Sequence, residues 1–255
     1  MEDTFSRQTI PSTRFTDDYL VLLMSMTCAA VAFLGFAPTY WVPLIEGRLT
    51  AAPIIHLHGA VFFTWSVFLV YQTWLAASGR LRSHRRTGMI GVSLATAMVA
   101  IGLATAISRM HWAERLGQGE AGKAFAIVPV STVLFFGIVF ATAIVLVRQR
   151  DWHKRLMLVA AISILDAPIA RWFIVLLAPA APAGPPPVAV DLGPSLVAAL
   201  LLVGSMLADY RISRRLHPAY VLGLLGYAAV KIGQVPASET AAWKGIATWL
   251  MKFGV

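Results

Sequence analysis

The chain alternates long apolar runs with short charged segments from residue 19 to residue 235. Each run is close to the roughly 20 apolar residues that a helix needs to cross the hydrocarbon core of a bilayer. The pattern predicts seven membrane-spanning helices, near 19–44, 54–77, 88–108, 126–147, 156–179, 192–210 and 218–235. The expected fold is therefore an all-α, polytopic transmembrane helical bundle of about seven spans.

Two segments flank this predicted seven-helix domain of residues 19–235. Residues 1–18 are polar, mixed in charge and without a basic start to a short apolar core, which predicts a cytoplasmic segment and not a cleaved signal peptide. In residues 236–255, Trp243 and Leu250 belong to an apolar stripe at helical spacing. The stripe predicts a C-terminal amphipathic helix, either in the membrane interface or packed on the outer face of the protein itself.

Composition excludes a water-soluble globule. Hydrophobic residues make up 58% of the chain and charged residues 13%, with a mean hydropathy of +0.72, whereas soluble domains have about a quarter charged residues. The net charge of +9 is concentrated in every second loop. By the positive-inside rule, this predicts a bacterial inner-membrane protein with a cytoplasmic N-terminus and an outside C-terminus. The lipid bilayer is the expected partner, and nucleic acid is not, because no basic, aromatic-interleaved surface is present.

Histidines carry most of the chemical information. They form an outer and an inner group near the two bilayer faces, with His56, His58 and His111 outside and His84, His153 and His217 inside. Two b-type haem sites, one in each leaflet, need such a layout, because haem iron takes axial imidazoles. The alternative is that the rings are only amphipathic interface residues, which is the interpretation we favour for His217 beside Pro218.

Helical geometry separates the outer candidates. His56 and His58 are two positions apart, so their side chains point about 200° apart on a helix. Seven positions, nearly two turns, lead from His58 to Trp65 and again to Gln72. We therefore expect His58 to face inward, with Trp65 and Gln72 lining a cofactor cavity.

Two charges lie inside the fifth predicted span, Asp166 and Arg171, with Pro168 between them predicting a kink. Charges at this depth are costly and are functional candidates. Arg171 shares a helix face with His153 at roughly 27 Å, which predicts a position near an outer site, paired with a haem propionate. Asp166 has two possible functional roles, a proton relay or a contact with a quinone. It also has two structural alternatives, a charge pair with Arg171 or a protonated carboxyl packed against a neighbouring helix.

Short motifs occur in a characteristic order: HLHG, an internal Trp and Gln, HRRTG before the third span and HKRLM before the fifth. In this order the chain resembles, over roughly residues 50–175, a family of bacterial integral membrane proteins with no settled function. The HG opening and the HR-basic-G turn also resemble, more loosely, cytochrome b561 and its ferric-reductase relatives. That resemblance implies haem held by histidines on each side of a helical bundle. The b561 pattern has histidine pairs within four core helices, whereas the fourth and sixth spans here contain none.

The leading expectation is a haem b protein that transfers electrons across or within the membrane, with a quinone or a redox protein as partner, and so a transmembrane oxidoreductase. Its axial-ligand candidates are His58, His84 and His153, with His111 as the outer partner of His58. A copper-binding protein is the first alternative, since imidazoles suit copper. Its outer ligands would be His56, His58 and His111, with HLH partly outside the helix. A non-catalytic subunit of a larger membrane complex, or a small-molecule carrier, is the second.

Overall fold

The structure is a computed structural model, which describes residues 12–177 and 184–254. No strand occurs in these ranges. The α-helices are α1 (Ser12–Gly35), α2 (Val42–Ile45), α3 (Pro53–Ala77), α4 (Leu81–Arg115), α5 (Gly119–Phe125), α6 (Ile127–Val145), α7 (Arg150–Ser163), α8 (Asp166–Leu177), α9 (Leu192–Ser213), α10 (Pro218–Ala237) and α11 (Ala241–Leu250). Among the residues that the structure describes, six spans are long and apolar enough to cross a membrane, and seven if the bent pair α10–α11 counts as one. The predicted all-α polytopic bundle is confirmed.

Helix boundaries differ from the prediction mainly where charged residues extend a helix beyond its apolar part. The third span was expected at 88–108, but α4 covers Leu81–Arg115, because arginine is a good helix former. Similarly, α1 begins at Ser12, inside the predicted polar segment 1–18. Residues 1–11 of that segment, and residues 178–183 before α9, lie outside the described residues.

The fifth span is broken in its middle. α7 ends at Ser163 and α8 begins at Asp166, so the kink predicted at Pro168 takes the form of a break just before it. Pro168 lies in the first turn of α8, where a missing backbone N–H removes no helical hydrogen bond. Gly35 packs directly on this turn, since a Cβ placed on Gly35 would lie 2.4 Å from the Pro168 Cβ. The end of α1 therefore supports the break.

The last span ends in a sharp bend. The chain turns by 96° from α10 into α11, and the Thr240 hydroxyl caps the new helix by accepting the Trp243 N–H at 3.2 Å. Trp243 and Ala247 are buried against the bundle, whereas Ile246 and Trp249 are exposed. α11 thus has one face packed on the protein itself and one apolar face directed outward.

Ion pairs join the helices at one end of the bundle, which we call the arginine-rich end. It contains the start of α1 and the turns before α4, α7 and α10. Arg155 of α7 donates two hydrogen bonds to the Asp209 carboxylate of α9, at 3.1 and 2.8 Å, and both side chains are buried. Lys154 pairs with Asp17 of α1 at 3.1 Å. These contacts fix the positions of α1, α7 and α9 beside the inner histidines.

Candidate functional site

Two of the predicted inner histidines meet at the arginine-rich end. His84 and His153 lie in the first turns of α4 and α7, and their ring centroids are 6.4 Å apart with an interplanar angle of 80°. Neither ring is fully exposed. His217, the third member of the inner group, instead stacks edge-on against Trp152 at 5.1 Å. Of the three histidines in the inner group, His84 and His153 are therefore the two whose rings lie next to each other.

Each ring of the pair is held by a backbone carbonyl of the preceding helix. The His84 Nδ1 lies 3.2 Å from the Gln72 carbonyl oxygen, and the His153 Nδ1 lies 2.8 Å from that of Ala143. A carbonyl only accepts hydrogen bonds, so each Nδ1 carries the hydrogen. In the neutral ring the lone pair is then on Nε2. Within the described residues neither Nε2 has a hydrogen-bond partner, so both lone pairs are available to a ligand.

Polar and aromatic side chains of α3 line the region beside the pair. The Gln72 amide nitrogen donates to the Thr87 hydroxyl at 2.6 Å, which leaves the Gln72 Oε1 buried without a partner. Trp65, two turns away, is 2% exposed and packs edge-on against Phe136 at 5.2 Å. Gln72 thus belongs to the histidine site, while Trp65 contributes to the hydrophobic core.

The small residues of α4 differ in what surrounds them. A Cβ on Gly91 would lie 2.9 Å from the Phe68 ring, and one on Gly102 would lie 3.0 Å from Val133. These two glycines serve helix packing. At Gly88, one turn after His84 on the same face, no atom lies within 4 Å of the added Cβ. Open space therefore exists beside the histidine pair.

The donor set of the pair fits a metal with two axial protein ligands. Imidazole nitrogens bind such metals at about 2.0–2.1 Å, so two rings on opposite sides of one ion have centroids roughly 6 Å apart. Within the described residues no group of three or more His, Cys, Asp or Glu side chains is arranged to hold a metal ion. The other coordination positions would have to be filled by a non-protein ligand, as the porphyrin fills them in haem. Haem iron takes two axial imidazoles, so His84 and His153 would be the residues that hold a haem here.

The three outer histidines contact separate partners. His56 shares a hydrogen bond of 3.0 Å between its Nδ1 and the Tyr40 hydroxyl. His111 donates from Nε2 to the Met251 carbonyl oxygen at 3.1 Å. His58 stacks on Phe62, with ring centroids 4.1 Å apart.

The arrangement of these three histidines affects two expectations for the outer side, the haem-ligand pair of His58 and His111 and the alternative copper site. His56 and His58 both lie within the regular helix α3, whereas the copper alternative required them partly outside a helix. His111 is engaged by the segment after α11 and not by His58. The structure thus does not bring His56, His58 and His111 together as one ligand set.

His58 and Arg171 nevertheless lie near each other with incompletely bonded polar atoms, and we call these two residues the outer polar group. The His58 Nδ1 and the Arg171 Nε are buried, and neither has a hydrogen-bond partner among the described residues. The charge of Arg171 acts on the His58 ring, and its guanidinium lies over Phe36 at 5.4 Å. Within the described residues Arg171 forms no ion pair with a carboxylate.

No family model, curated protein or solved structure matches the chain. The resemblance to the bacterial membrane family and to cytochrome b561 therefore stays a prediction, and the function has to be inferred from the residues themselves.

Asp166 has a different partner from the one considered from the sequence. The expected charge pair between Asp166 and Arg171 is wrong, because Lys231 of α10 donates to the Asp166 carboxylate. Lys231 also donates to Asp191 at 3.0 Å, and all three side chains are buried. We call these three residues the carboxylate–lysine cluster.

Sequence reasoning missed two members of this cluster. Lys231 is visible as a single cation in the apolar run of the seventh span, and on the same grounds as Asp166 it should have been counted as an intramembrane charge. Asp191 follows the Pro-rich stretch and was placed in a loop. In the structure it ends a short 3₁₀ turn, Val188–Asp191, that is buried against the bundle, and no sequence pattern indicated that burial.

Proposed function

We propose that this protein is a membrane haem b protein that transfers electrons, with His84 and His153 as the two axial ligands of one haem. The observation that supports this best is the pairing of the two rings, with Nδ1 hydrogens bound to carbonyls and both Nε2 lone pairs free at a centroid distance of 6.4 Å. Metal-bound histidines commonly donate their other nitrogen in this way, which fixes the tautomer and the ring orientation.

The surrounding residues have supporting roles in this proposal. The carbonyl oxygens of Gln72 and Ala143 make each imidazole a stronger donor to the metal, because they accept the opposite ring hydrogen. The Gln72 Oε1, which has no partner of its own, is available to a polar substituent of the cofactor. Bound haem supplies one-electron chemistry. The chain itself supplies two ligands from separate hairpins, so both hairpins must be folded for binding.

The proposed orientation follows from the distribution of basic residues. Arginines concentrate in the turns at the arginine-rich end, in the segments 80–86, 148–155 and 211–215. The positive-inside rule places this end in the cytoplasm of a bacterial inner-membrane protein. The haem would then lie near the cytoplasmic face, with the N-terminus inside and the C-terminus outside.

The outer polar group is the proposed binding site for a quinone. His58 and Arg171 offer two buried nitrogen atoms without partners, and such groups bind a ligand with oxygen acceptors favourably because they are already desolvated. The headgroup of a quinone is a ligand of this kind. Arg171 lies roughly 27 Å from His153 along the fifth span, which is too far for a single electron-transfer step, so the proposal for this group is quinone binding alone.

The test is the absorption spectrum of the purified protein, measured oxidised and then reduced with dithionite. One haem b per chain is expected, and both His84→Ala and His153→Ala should lose it. His217→Ala is the matched control, because His217 lies at the same end but outside the pair. Wild-type haem content in the His84→Ala/His153→Ala double variant overturns the assignment. A colourless protein overturns it too, in favour of copper if copper is bound and of a carrier or subunit if no metal is present.

A further inference from the structure

The carboxylate–lysine cluster lies at the break in the fifth span. Asp166, the first residue of α8, is 2% exposed. Its Oδ1 accepts the Ala167 N–H at 2.8 Å, and its Oδ2 accepts from the Thr132 hydroxyl at 3.3 Å and from Lys231. Broken helices with polar groups at the break are a common construction of binding sites within membranes.

Lys231 connects Asp166 with the second carboxylate. Its ammonium donates to the Asp191 Oδ2 at 3.0 Å and to the Thr132 hydroxyl at 2.7 Å, in addition to Asp166. The three donors of the ammonium are thereby used. The same Asp191 oxygen also accepts from the Gln234 amide at 2.8 Å and from the Ser195 hydroxyl at 3.1 Å. Five helical elements, namely α6, α8, the 3₁₀ turn Val188–Asp191, α9 and α10, thus hold the cluster in one geometry.

The charges of this cluster do not balance. Two carboxylates share one ammonium, and the exposed fractions of Asp166, Asp191 and Lys231 are 2%, 7% and 3%. If all three groups were ionised, one negative charge would remain inside the bundle, where an unpaired charge is strongly unfavourable. Two carboxyl groups that share a site commonly solve this problem by keeping one proton between them.

A second observation indicates that the cluster binds something besides protein groups. Tyr227, one turn before Lys231 in α10, is 3% exposed, and its hydroxyl lies beside the Ser195 hydroxyl without a hydrogen bond of normal geometry to any described residue. Its ring lies 5.7 Å from the Lys231 Nζ. A buried polar atom without a protein partner commonly contacts an internal water. Such a water would give a proton a path to the carboxyl groups.

We infer that Asp166, Asp191 and Lys231, with the Tyr227 hydroxyl beside them, form a proton-binding site in which one of the two carboxyl groups is protonated at neutral pH. The ligand is a single proton, taken up from water and bound to a carboxylate oxygen, so no electron is transferred and no co-reactant is required. The inference is independent of haem binding, because none of these residues contacts His84 or His153.

Infrared spectroscopy of the purified chain in lipid or detergent tests this directly, because a carboxylic acid has a C=O stretching band that a carboxylate lacks. The wild type at neutral pH should show one such band that shifts in heavy water. Asp191→Asn and Asp166→Asn should each lose it, since the remaining carboxylate then pairs one-to-one with Lys231. Lys231→Met should increase the band about twofold, because both carboxyl groups then need a proton.

Arg155→Met/Asp209→Leu is the matched control. It removes a carboxylate as deeply buried as those of the cluster, together with the arginine that pairs with it, so this variant should keep the wild-type band. The asparagine variants preserve side-chain shape, and their result stands even if Lys231→Met does not fold. A wild type without the acid band overturns the inference, because both carboxylates are then ionised. A band that persists in both Asp191→Asn and Asp166→Asn overturns it as well.

Discussion

The imidazoles of His84 and His153 lie with their ring centroids 6.4 Å apart, and each is fixed by one hydrogen bond to a carbonyl oxygen of the preceding helix. The two carbonyls belong to residues 12 and 10 positions earlier in the chain, so the two hairpins repeat the same contact. Both anchors are backbone atoms. The axis between the rings is therefore set by how α3–α4 packs against α6–α7.

This geometry predicts that the ligand type can be changed without removal of the cofactor. In His153→Met the His84 ring stays anchored, and a thioether replaces one imidazole. Methionine as an axial ligand raises the reduction potential of haem, so a redox titration should give a more positive midpoint than the wild type. His217→Met serves as the control. An unchanged potential and spectrum in His153→Met would show that His153 is not an axial ligand.

The Arg155–Asp209 pair predicts that removal of one partner lowers the stability of the protein more than removal of both. Among the described residues, Asp209 is the carboxylate that binds Arg155 in bidentate geometry, at 3.1 and 2.8 Å, and Asp209→Asn removes it. Arg155 then keeps longer contacts with the Asp151 and Asp17 carboxylates, at 3.4 and 3.9 Å, so we expect a loss of about 1.5–3 kcal/mol, the contribution of a hydrogen bond to a charged group. Thermal unfolding in detergent should therefore show a clearly lower midpoint for this variant.

Two further variants separate this effect from a general sensitivity of the region. Arg155→Met/Asp209→Leu removes both charges and should recover much of the lost stability. Asp151→Asn is the exposed control: the Asp151 side chain is 70% exposed and only 3.4 Å from Arg155, so we expect about 0–1 kcal/mol. Equal losses in Asp151→Asn and Asp209→Asn would contradict the prediction.

Much of the fold was predictable, because spans depend on local hydrophobicity and the bilayer sets their length. The predicted spans 54–77 and 218–235 nearly coincide with α3 and α10. The bend of the last span was harder to place: Pro236 marks it, but the direction of α11 depends on how Trp243 packs between α5 and α4. Helix ends at charged turns were also less predictable, since arginine continues a helix readily.

The site was predictable only in part. The sequence predicts that His84 and His153 lie at the same end of the bundle, but their meeting depends on the packing of α4 against α6, which no local pattern encodes. For Asp166 the sequence suggested Arg171 as partner, because the two are close along the chain. Lys231 is the partner instead, because α10 brings its ammonium to the break in the fifth span. The two residues are 65 positions apart in the sequence.

The contact between Gly35 and Pro168 predicts a steric effect at the end of α1. Gly35→Ala places a Cβ 2.4 Å from the Pro168 Cβ, and the nearby atoms are backbone as well. Overpacking of this kind costs about 1–3 kcal/mol, so the unfolding midpoint should fall. Gly204→Ala is the control, because nothing lies within 4 Å of its added Cβ and alanine favours a helix by about 0.5–1 kcal/mol. The prediction is wrong if both variants gain stability.

His217 predicts a pH dependence of stability. Its Nδ1 accepts the Ala219 N–H at 3.2 Å and so caps α10, which requires a neutral ring. Burial, and then the charge of Arg155, lower the pKa of His217. The stability contributed by the neutral ring is therefore fully present above the ordinary pKa of about 6.5 and is lost as the pH falls towards the lowered value.

The matched variant is His217→Asn, since asparagine caps a helix without titrating in this range. Unfolding midpoints measured at falling pH should decrease more steeply for the wild type than for His217→Asn. Parallel decreases would assign the pH dependence to other groups.

The outer polar group predicts a functional effect that is separable from cofactor binding. Arg171 has no carboxylate partner among the described residues and a buried Nε without a hydrogen bond, so its charge is not needed to neutralise another protein group. Arg171→Gln should therefore keep the fold and the haem content. If the quinone headgroup binds here, the Kd of a quinone analogue should rise by about tenfold or more in this variant, because a charge-assisted hydrogen bond contributes about 1.5–3 kcal/mol.

The measurement is the binding of a quinone analogue to the purified chain, followed by the quenching of tryptophan fluorescence. Arg109→Gln is the matched control, because Arg109 is also a cation at this end but stacks on Trp112 at 3.7 Å. If Arg109→Gln and Arg171→Gln weaken binding equally, general electrostatics and not a specific contact explains the effect. Unchanged affinity in Arg171→Gln would place the quinone site elsewhere on the bundle.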